Sequence, residues 1–376
     1  MLHHGGRLLQ AAQQFHIPVI DWLDLSTGIN PIGWPVPLID QTDWQRLPDP
    51  DDGLLQTAAD YYQCQMLLPV AGSQAAIQML PYLRSQSRVG VPIEAYDEHR
   101  YHWQQAGHQV IVVATDQINQ HIDRLDVLIL LNPNNPTGEC FSAAQLLDWQ
   151  QRLHRRGGWL IVDEAFIDTT PEKSLLPHCP RPGLIVLRSI GKFFGLAGIR
   201  SGFVAAEANL LDKLAQRLGP WTLSGPTRTV SQLALADRSW QVQTQNRLQT
   251  DARRLQRLMQ RIPQLLLQRQ LQALQPEDAI TGTALFQSFN SHAAEKLFDH
   301  FAQQGILTRL FDPLPQTSEN PNAEQQPRRL RIGLPGSELQ WQRLTAAIDA
   351  LIKPITEHAI ESATTALVAS PLALSD

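Results

Sequence analysis

The sequence predicts an α/β fold: a mostly parallel central sheet with helices on both faces, joined to a smaller α+β domain. Three observations predict it. Between about residue 54 and residue 220, short apolar runs alternate with longer helical patterns, as βαβ units around a parallel sheet require. A helical stretch rich in glutamine and arginine, roughly 228–261, then leads to Pro263 and a set of shorter elements. Finally, 376 residues with 43% hydrophobic content suffice for one large domain and a smaller one.

Taken in order, the expected strands are "LLPVA" (67–71), "QVIVVA" (109–114), "DVLILL" (126–131), "WLIVDE" (159–164), "LIVLRS" (184–189) and "SGFVAA" (201–206). Each is a short apolar run bounded by polar or turn residues. A helix is expected from Ser142, which can cap it, to about Arg156; Leu146, Leu147 and Leu153 make its stripe and Gly157–Gly158 stops it. The stretch 228–261 is read as one long helix that bridges to the second domain. The expected division is an N-terminal arm with part of the smaller domain (1–40), a large domain (41–235), a small domain (236–360) and a disordered tail (361–376). The proline-bounded segment 315–327 is expected to be a mobile loop.

Charge and composition exclude several classes. With 31 basic and 36 acidic side chains, a net charge of −5 predicts no nucleic-acid surface and no polybasic membrane patch. No apolar run approaches the roughly 18 residues of a membrane helix, and no signal-peptide pattern opens the chain, so a cytoplasmic protein is expected. Cys64, Cys140 and Cys179 lack C-x-x-C spacing, which predicts reduced thiols and no metal. Small molecules are the expected partners.

In an open parallel sheet, ligands bind beyond the carboxyl ends of the strands. Four such ends here carry chemistry. Gly72, Ser73 and Gln74 open a helix after strand 67–71 and can offer backbone N–H groups to a phosphate. "NPNNPTGE" (132–139) is a rigid turn that orients Asn135. Asp163 ends the apolar run "WLIVD" and needs a partner or solvent. Lys192 lies in "SIGKFFGLAGIRSGF" (189–203). A nucleotide-binding loop would need glycine at 186 and Ser or Thr at 193, where Val186 and Phe193 stand. A lysine held in a desolvated strand-end loop is instead suited to form a Schiff base. One ligand satisfies all four: pyridoxal 5'-phosphate, with its phosphate at Gly72–Gln74, Ser189 and Arg200, its ring oxygen at Asn135, its ring nitrogen at Asp163 and its aldehyde at Lys192.

Through "NPNNPTG", "VDEAF" and "SIGKFFGLAGIRSGF", in that order, the chain resembles the fold-type I pyridoxal-phosphate enzymes of the aspartate aminotransferase superfamily. "HHGGRLLQAAQQF", "LSTGINPIGWP", "LPDPDDG", "VAGSQAAIQMLP", "YDEHRYHWQQAGH" and "GPWTLSGP" resemble, within it, the threonine-phosphate decarboxylase branch of cobalamin biosynthesis, a neighbour of histidinol-phosphate aminotransferase. The resemblance implies that Lys192 forms the imine, Asp163 pairs with the pyridine nitrogen and Asn135 bonds the ring hydroxyl. It also implies that Arg331, in "LRIGLP", grips the substrate carboxylate, and that His4, Gly5, Gly6 and Asn30 lie at the mouth of the site. His4 with Arg7 would meet a substrate phosphate. The aromatic ring stacked on the cofactor would be His99, with Tyr96 the alternative. Phe166 stands where relatives often have tyrosine, and Leu47 where a tyrosine commonly crosses a dimer. The expected reaction is decarboxylation of L-threonine O-3-phosphate by a homodimer. The alternative is an aminotransferase acting on a phosphorylated substrate, which would use the same motifs.

Overall fold

The computed structural model describes residues 4–268, 280–312 and 326–352. The tail 361–376 lies outside them, as does all but the last two residues of the segment 315–327. Strands are numbered along the chain: β1 Leu23–Asp24, β2 Leu67–Val70, β3 Arg88–Pro92, β4 Gln109–Val113, β5 Val127–Leu131, β6 Trp159–Asp163, β7 Leu184–Ser189, β8 Gly202–Ala205, β9 Thr281–Thr283, β10 Phe286–Ser291, β11 Ile306–Leu307, β12 Arg309–Leu310 and β13 Arg328–Gly333.

Seven strands form the larger sheet, in the order β2-β8-β7-β6-β5-β3-β4. Its centre is the most apolar sequence: all five residues of β5, "VLILL", are buried, because helices cover both faces. On one face Ile129, Ile161, Ile185 and Leu187 pack against Ala76, Ile77, Trp103 and Leu214. On the other, Leu128, Leu130, Leu160, Val162 and Val186 pack with Leu54, Leu146 and Leu153, in a core that continues into Phe286, Phe289 and Phe301. That second core joins the large sheet to a four-stranded antiparallel sheet, order β12-β13-β10-β9. A short parallel pair, β1 with β11, brings the N-terminal segment alongside it.

The helix Ala143–His154 begins where Ser142 caps it, in a capping box closed by Gln145. Three elements differ from the sequence expectation. Strand β3, "RVGVP", is additional: Gly90 and Pro92 argue against a strand, but Gly90 makes room for Leu125, whose Cδ1 lies 2.4 Å from where a Cβ would stand. Strand β8 runs antiparallel to both neighbours, β2 and β7. The long helix is two, Gly225–Ala236 and Arg238–Met259. Asp237 interrupts it, capping the second helix through Trp240 N at 3.0 Å and accepting from Trp34 Nε1 at 3.1 Å. No helix among the described residues is long and apolar enough to cross a membrane.

Candidate active site

The parallel register sets the ends of the central strands level. Asp163 is opposite Leu131 on one side and Leu187 on the other, so the loops after β5, β6 and β7 open onto one place. A cavity of about 250 Å³ occupies it. Its wall includes His4, Gly5, Gly72, Ser73, Gln74, Asn135, Asp163, Ser189, Lys192, Arg200 and Arg331.

One end of the cavity is a cup for an anion. Gly72 has φ +72°, a conformation that favours glycine, and turns the chain into the helix Ser73–Met79. A Cβ at Gly72 would come within 2.9 Å of Arg200 Nη2. At Gly202, the first residue of β8, a Cβ would lie 2.7 Å from Ser73 N and 2.5 Å from Arg188 O. The cup therefore admits backbone and guanidinium but no further side chain. Ser189 Oγ, at the end of β7, accepts from Gly191 N at 3.3 Å and keeps its own proton to donate.

Across from the cup, Asp163 is buried beneath the cavity. Its Oδ1 accepts from Ala165 N at 3.1 Å, and its Oδ2 lies 3.1 Å from His99 Nε2. Lys192 is half-buried with Nζ 5.7 Å from the centre of the Phe166 ring. Burial, seconded by the positive charge of Arg331, outweighs the attraction of Asp163 and pushes the Lys192 ammonium down to about 8. At pH 7.5 about a quarter of such an amine is neutral, against about one part in a thousand at its ordinary value. This is an amine ready to attack an aldehyde.

The rim comes from the smaller sheet. Arg331 on β13 is buried; Nη1 donates to Asn135 Oδ1 and Nη2 to Ser26 O at 2.6 Å. Its Nε is buried without a hydrogen-bond partner among the described residues. Burial is the main cause that lowers the guanidinium's pKa, and Arg309 adds to it. Asn135 thus spends its oxygen on Arg331 and retains its Nδ2 amide as a donor. Arg309 itself, directly opposite Arg331 in the β12–β13 register, is a residue that sequence reasoning missed. It lines, with His4, Gly5 and Arg7, an adjoining cleft of about 260 Å³. The available signal was an arginine alternating with apolar residues in "ILTRLF".

Three expected positions lie elsewhere. His99 is not in the cavity wall: it is buried at 1% exposure behind Asp163, whereas Tyr96, the alternative, three residues earlier, does line the cavity. The helix Asp97–Gln105 begins between them and carries His99 away from the opening. Asn30 is also outside the wall. Its N donates to Lys192 O at 3.0 Å and its Nδ2 to Phe193 O at 2.8 Å, while its Oδ1 accepts from Arg247 Nη2 at 2.8 Å. Together with Trp34 N, which donates to Phe194 O at 2.8 Å, it splints the backbone of the lysine loop. Gly6 faces the adjoining cleft, and its N donates to Ser26 Oγ at 2.7 Å. His4 is held by Glu98, whose carboxylate accepts from Gln74 Nε2 at 2.6 Å and stands 2.7 Å from His4 Nε2 and 2.9 Å from His102 Nε2. Phe166, packed edge-on to Phe286, brings no hydroxyl to the cavity. Leu47 is exposed.

A half-buried amine and a buried carboxylate at adjacent strand ends, with an anion cup and Arg331 in the same cavity wall, define a coenzyme-dependent enzyme of the fold-type I class. The model of the family described as aminotransferase class I and II matches residues 20–348, and the chain belongs to that family. A curated relative, the threonine-phosphate decarboxylase of Pseudomonas aeruginosa, is 48% identical over 357 residues, covering 95% of this chain and all of the relative. Among solved structures, histidinol-phosphate aminotransferase from Sinorhizobium meliloti, in complex with pyridoxal 5'-phosphate, superposes with a TM-score of 0.71 at 18% identity, covering 95% of this chain and 99% of its own. L-threonine-O-3-phosphate decarboxylase from Porphyromonas gingivalis gives 0.68 at 18% identity, covering 88% and 99%. At such identities the two structures speak to the fold alone.

Proposed function

We propose that the chain is a pyridoxal-phosphate-dependent decarboxylase that converts L-threonine O-3-phosphate to (R)-1-amino-2-propanol O-2-phosphate, a step of cobalamin biosynthesis. The observation that carries the reading is Lys192 and Asp163 together in a cavity walled by Arg331, with Arg309 in the adjoining cleft, in a chain 48% identical along its length to a threonine-phosphate decarboxylase. The residues fit the coenzyme: the Gly72–Gln74 turn, Ser189 and Arg200 would hold its phosphate, Asp163 its ring nitrogen and Asn135 Nδ2 its ring oxygen. When bound, pyridoxal 5'-phosphate supplies an aldehyde to the Lys192 amine and an electron-withdrawing ring.

The chain's own groups do the rest. Asp163, kept in place by His99 and by Ala165 N, holds a proton on the ring nitrogen. Arg331 offers Nε and a fork to a carboxylate, and Arg309 with His4 takes the phosphate ester. Anchored at both anions, the substrate would present one chosen bond at Cα to the electron-withdrawing group the coenzyme supplies. Lys192 Nζ, titrating near 8, can then carry a proton to Cα.

Incubation of the purified, coenzyme-loaded protein with L-threonine O-3-phosphate tests the reading. Release of carbon dioxide and aminopropanol phosphate without a 2-oxo acid supports it. Amino-group transfer that requires a 2-oxo acid and releases no carbon dioxide would make the chain an aminotransferase. We also infer a homodimer, supported by Leu38, Trp44 and Leu47, which expose apolar surface along one segment. A sedimentation mass of one chain would refute the dimer.

A further inference from the structure

Beyond the groups that meet coenzyme and substrate, we propose that the Glu94–Arg329 ion pair is a positioning latch. It clamps the smaller sheet onto the Asn134–Pro136 turn and so holds Arg331 at the height a substrate carboxylate needs. The proposal rests on the reading of Arg331 as the carboxylate-binding arginine.

The argument begins with strand geometry. Arg329 and Arg331 are two residues apart on β13 and share a face, the face turned to the large sheet, where they are 8% and 6% exposed. Glu94 belongs to the other side, two residues beyond the end of β3. Arg329 donates to it as a fork, Nε to Oε1 at 2.6 Å and Nη2 to Oε2 at 2.9 Å. Its remaining nitrogen, Nη1, reaches Ser288 Oγ at 3.3 Å, and Ser288, directly opposite Arg331 in the β10–β13 register, donates to Pro136 O at 2.7 Å. The backbone oxygen of Glu94 accepts from Asn134 Nδ2 at 2.8 Å. The turn is therefore gripped at Asn134 and Pro136, and Arg331 meets Asn135 between them.

Of the groups assigned to the coenzyme, Asn135 alone sits on the gripped turn; the Gly72–Gln74 turn, Asp163, Ser189 and Arg200 stand apart from it and hydrogen-bond to neither Glu94 nor Arg329. Loosening the latch thus separates two affinities that a general loss of structure would lower together. In Glu94→Gln the carboxylate becomes a neutral amide of the same shape, and the buried guanidinium loses its counter-charge. The expected result is a KM for L-threonine O-3-phosphate raised about ten- to a hundredfold, with affinity for pyridoxal 5'-phosphate, held mainly by groups off the turn, lowered by less than about threefold. Arg329→Lys keeps the charge without the fork and is expected to fall between Glu94→Gln and the parent chain. Hydrogen exchange of the loaded protein without substrate should quicken in 326–333 and 133–139 in both variants. An unchanged KM, or coenzyme affinity that falls in step with it, overturns the latch. If the parent chain does not act on L-threonine O-3-phosphate, the functional reading fails on its own, and unchanged exchange in those two segments then overturns the latch.

Discussion

Lys192→Met in the coenzyme-free protein isolates the cost of placing an ammonium where Lys192 lies. The folded chain holds the group near 8 against an ordinary 10.5, a difference worth at most about 3 kcal/mol. Because the amine is partly open to cavity water, about 1–2 kcal/mol is the realistic share. The sign follows from proton counting. Below pH 8 both folded and unfolded chains carry the proton, and the parent protein bears the full cost. Between pH 8 and pH 10.5 the unfolded chain binds the proton and the folded chain does not, so parent stability rises with pH until the cost is gone. Methionine, of similar length and uncharged, escapes it throughout. Urea unfolding followed by tryptophan fluorescence at pH 7, 8, 9 and 10 should therefore show the variant more stable by about 1–2 kcal/mol at pH 7, the advantage fading towards pH 10.5. An advantage that stays constant with pH, or a parent chain more stable at pH 7, would refute the desolvation argument.

Gly202→Ala should weaken binding of pyridoxal 5'-phosphate by about tenfold or more, measured by fluorescence titration, since its methyl group would push on Ser73 N and Arg188 O. His99→Phe keeps the ring buried but strips Asp163 Oδ2 of its partner; the pH midpoint of the loaded protein's absorbance band should move, which a change in packing alone would not produce. Arg188→Met strands two buried carboxylates, Glu164 and Asp168, beside Tyr61 and Tyr62, and should cost about 3–5 kcal/mol in urea unfolding. Since burial raises the pKa of Glu164 in the parent chain, that loss should shrink as acid neutralises the stranded group.

The sheet was legible where strands are continuous apolar runs, as at 127–131 and 184–187, because two-sided burial demands just that pattern. It was illegible at β3, where Gly90 and Pro92 break the run and the missing volume comes from Leu125, a residue supplied by the fold. The direction of β8 leaves no mark on composition. In the site, Lys192, Asp163, Asn135 and Arg331 were each conspicuous for chemistry at a strand end or in a motif, and the structure gathers them around one cavity. Arg309 and the Glu94–Arg329 pair escaped because their meaning lies in cross-strand register and in contacts spanning 235 positions. His99 was read as a stacking ring because spacing along a chain does not say which side of a carboxylate an aromatic side chain takes.

The splint that Asn30 and Trp34 apply to the lysine loop joins partners 163 positions apart. On a ribosome adding about 5–20 residues per second, the early half of that seam waits about 8–30 s for its mate. Competence to capture the coenzyme therefore cannot precede about the midpoint of synthesis, when the lysine loop emerges and its early partners can splint it.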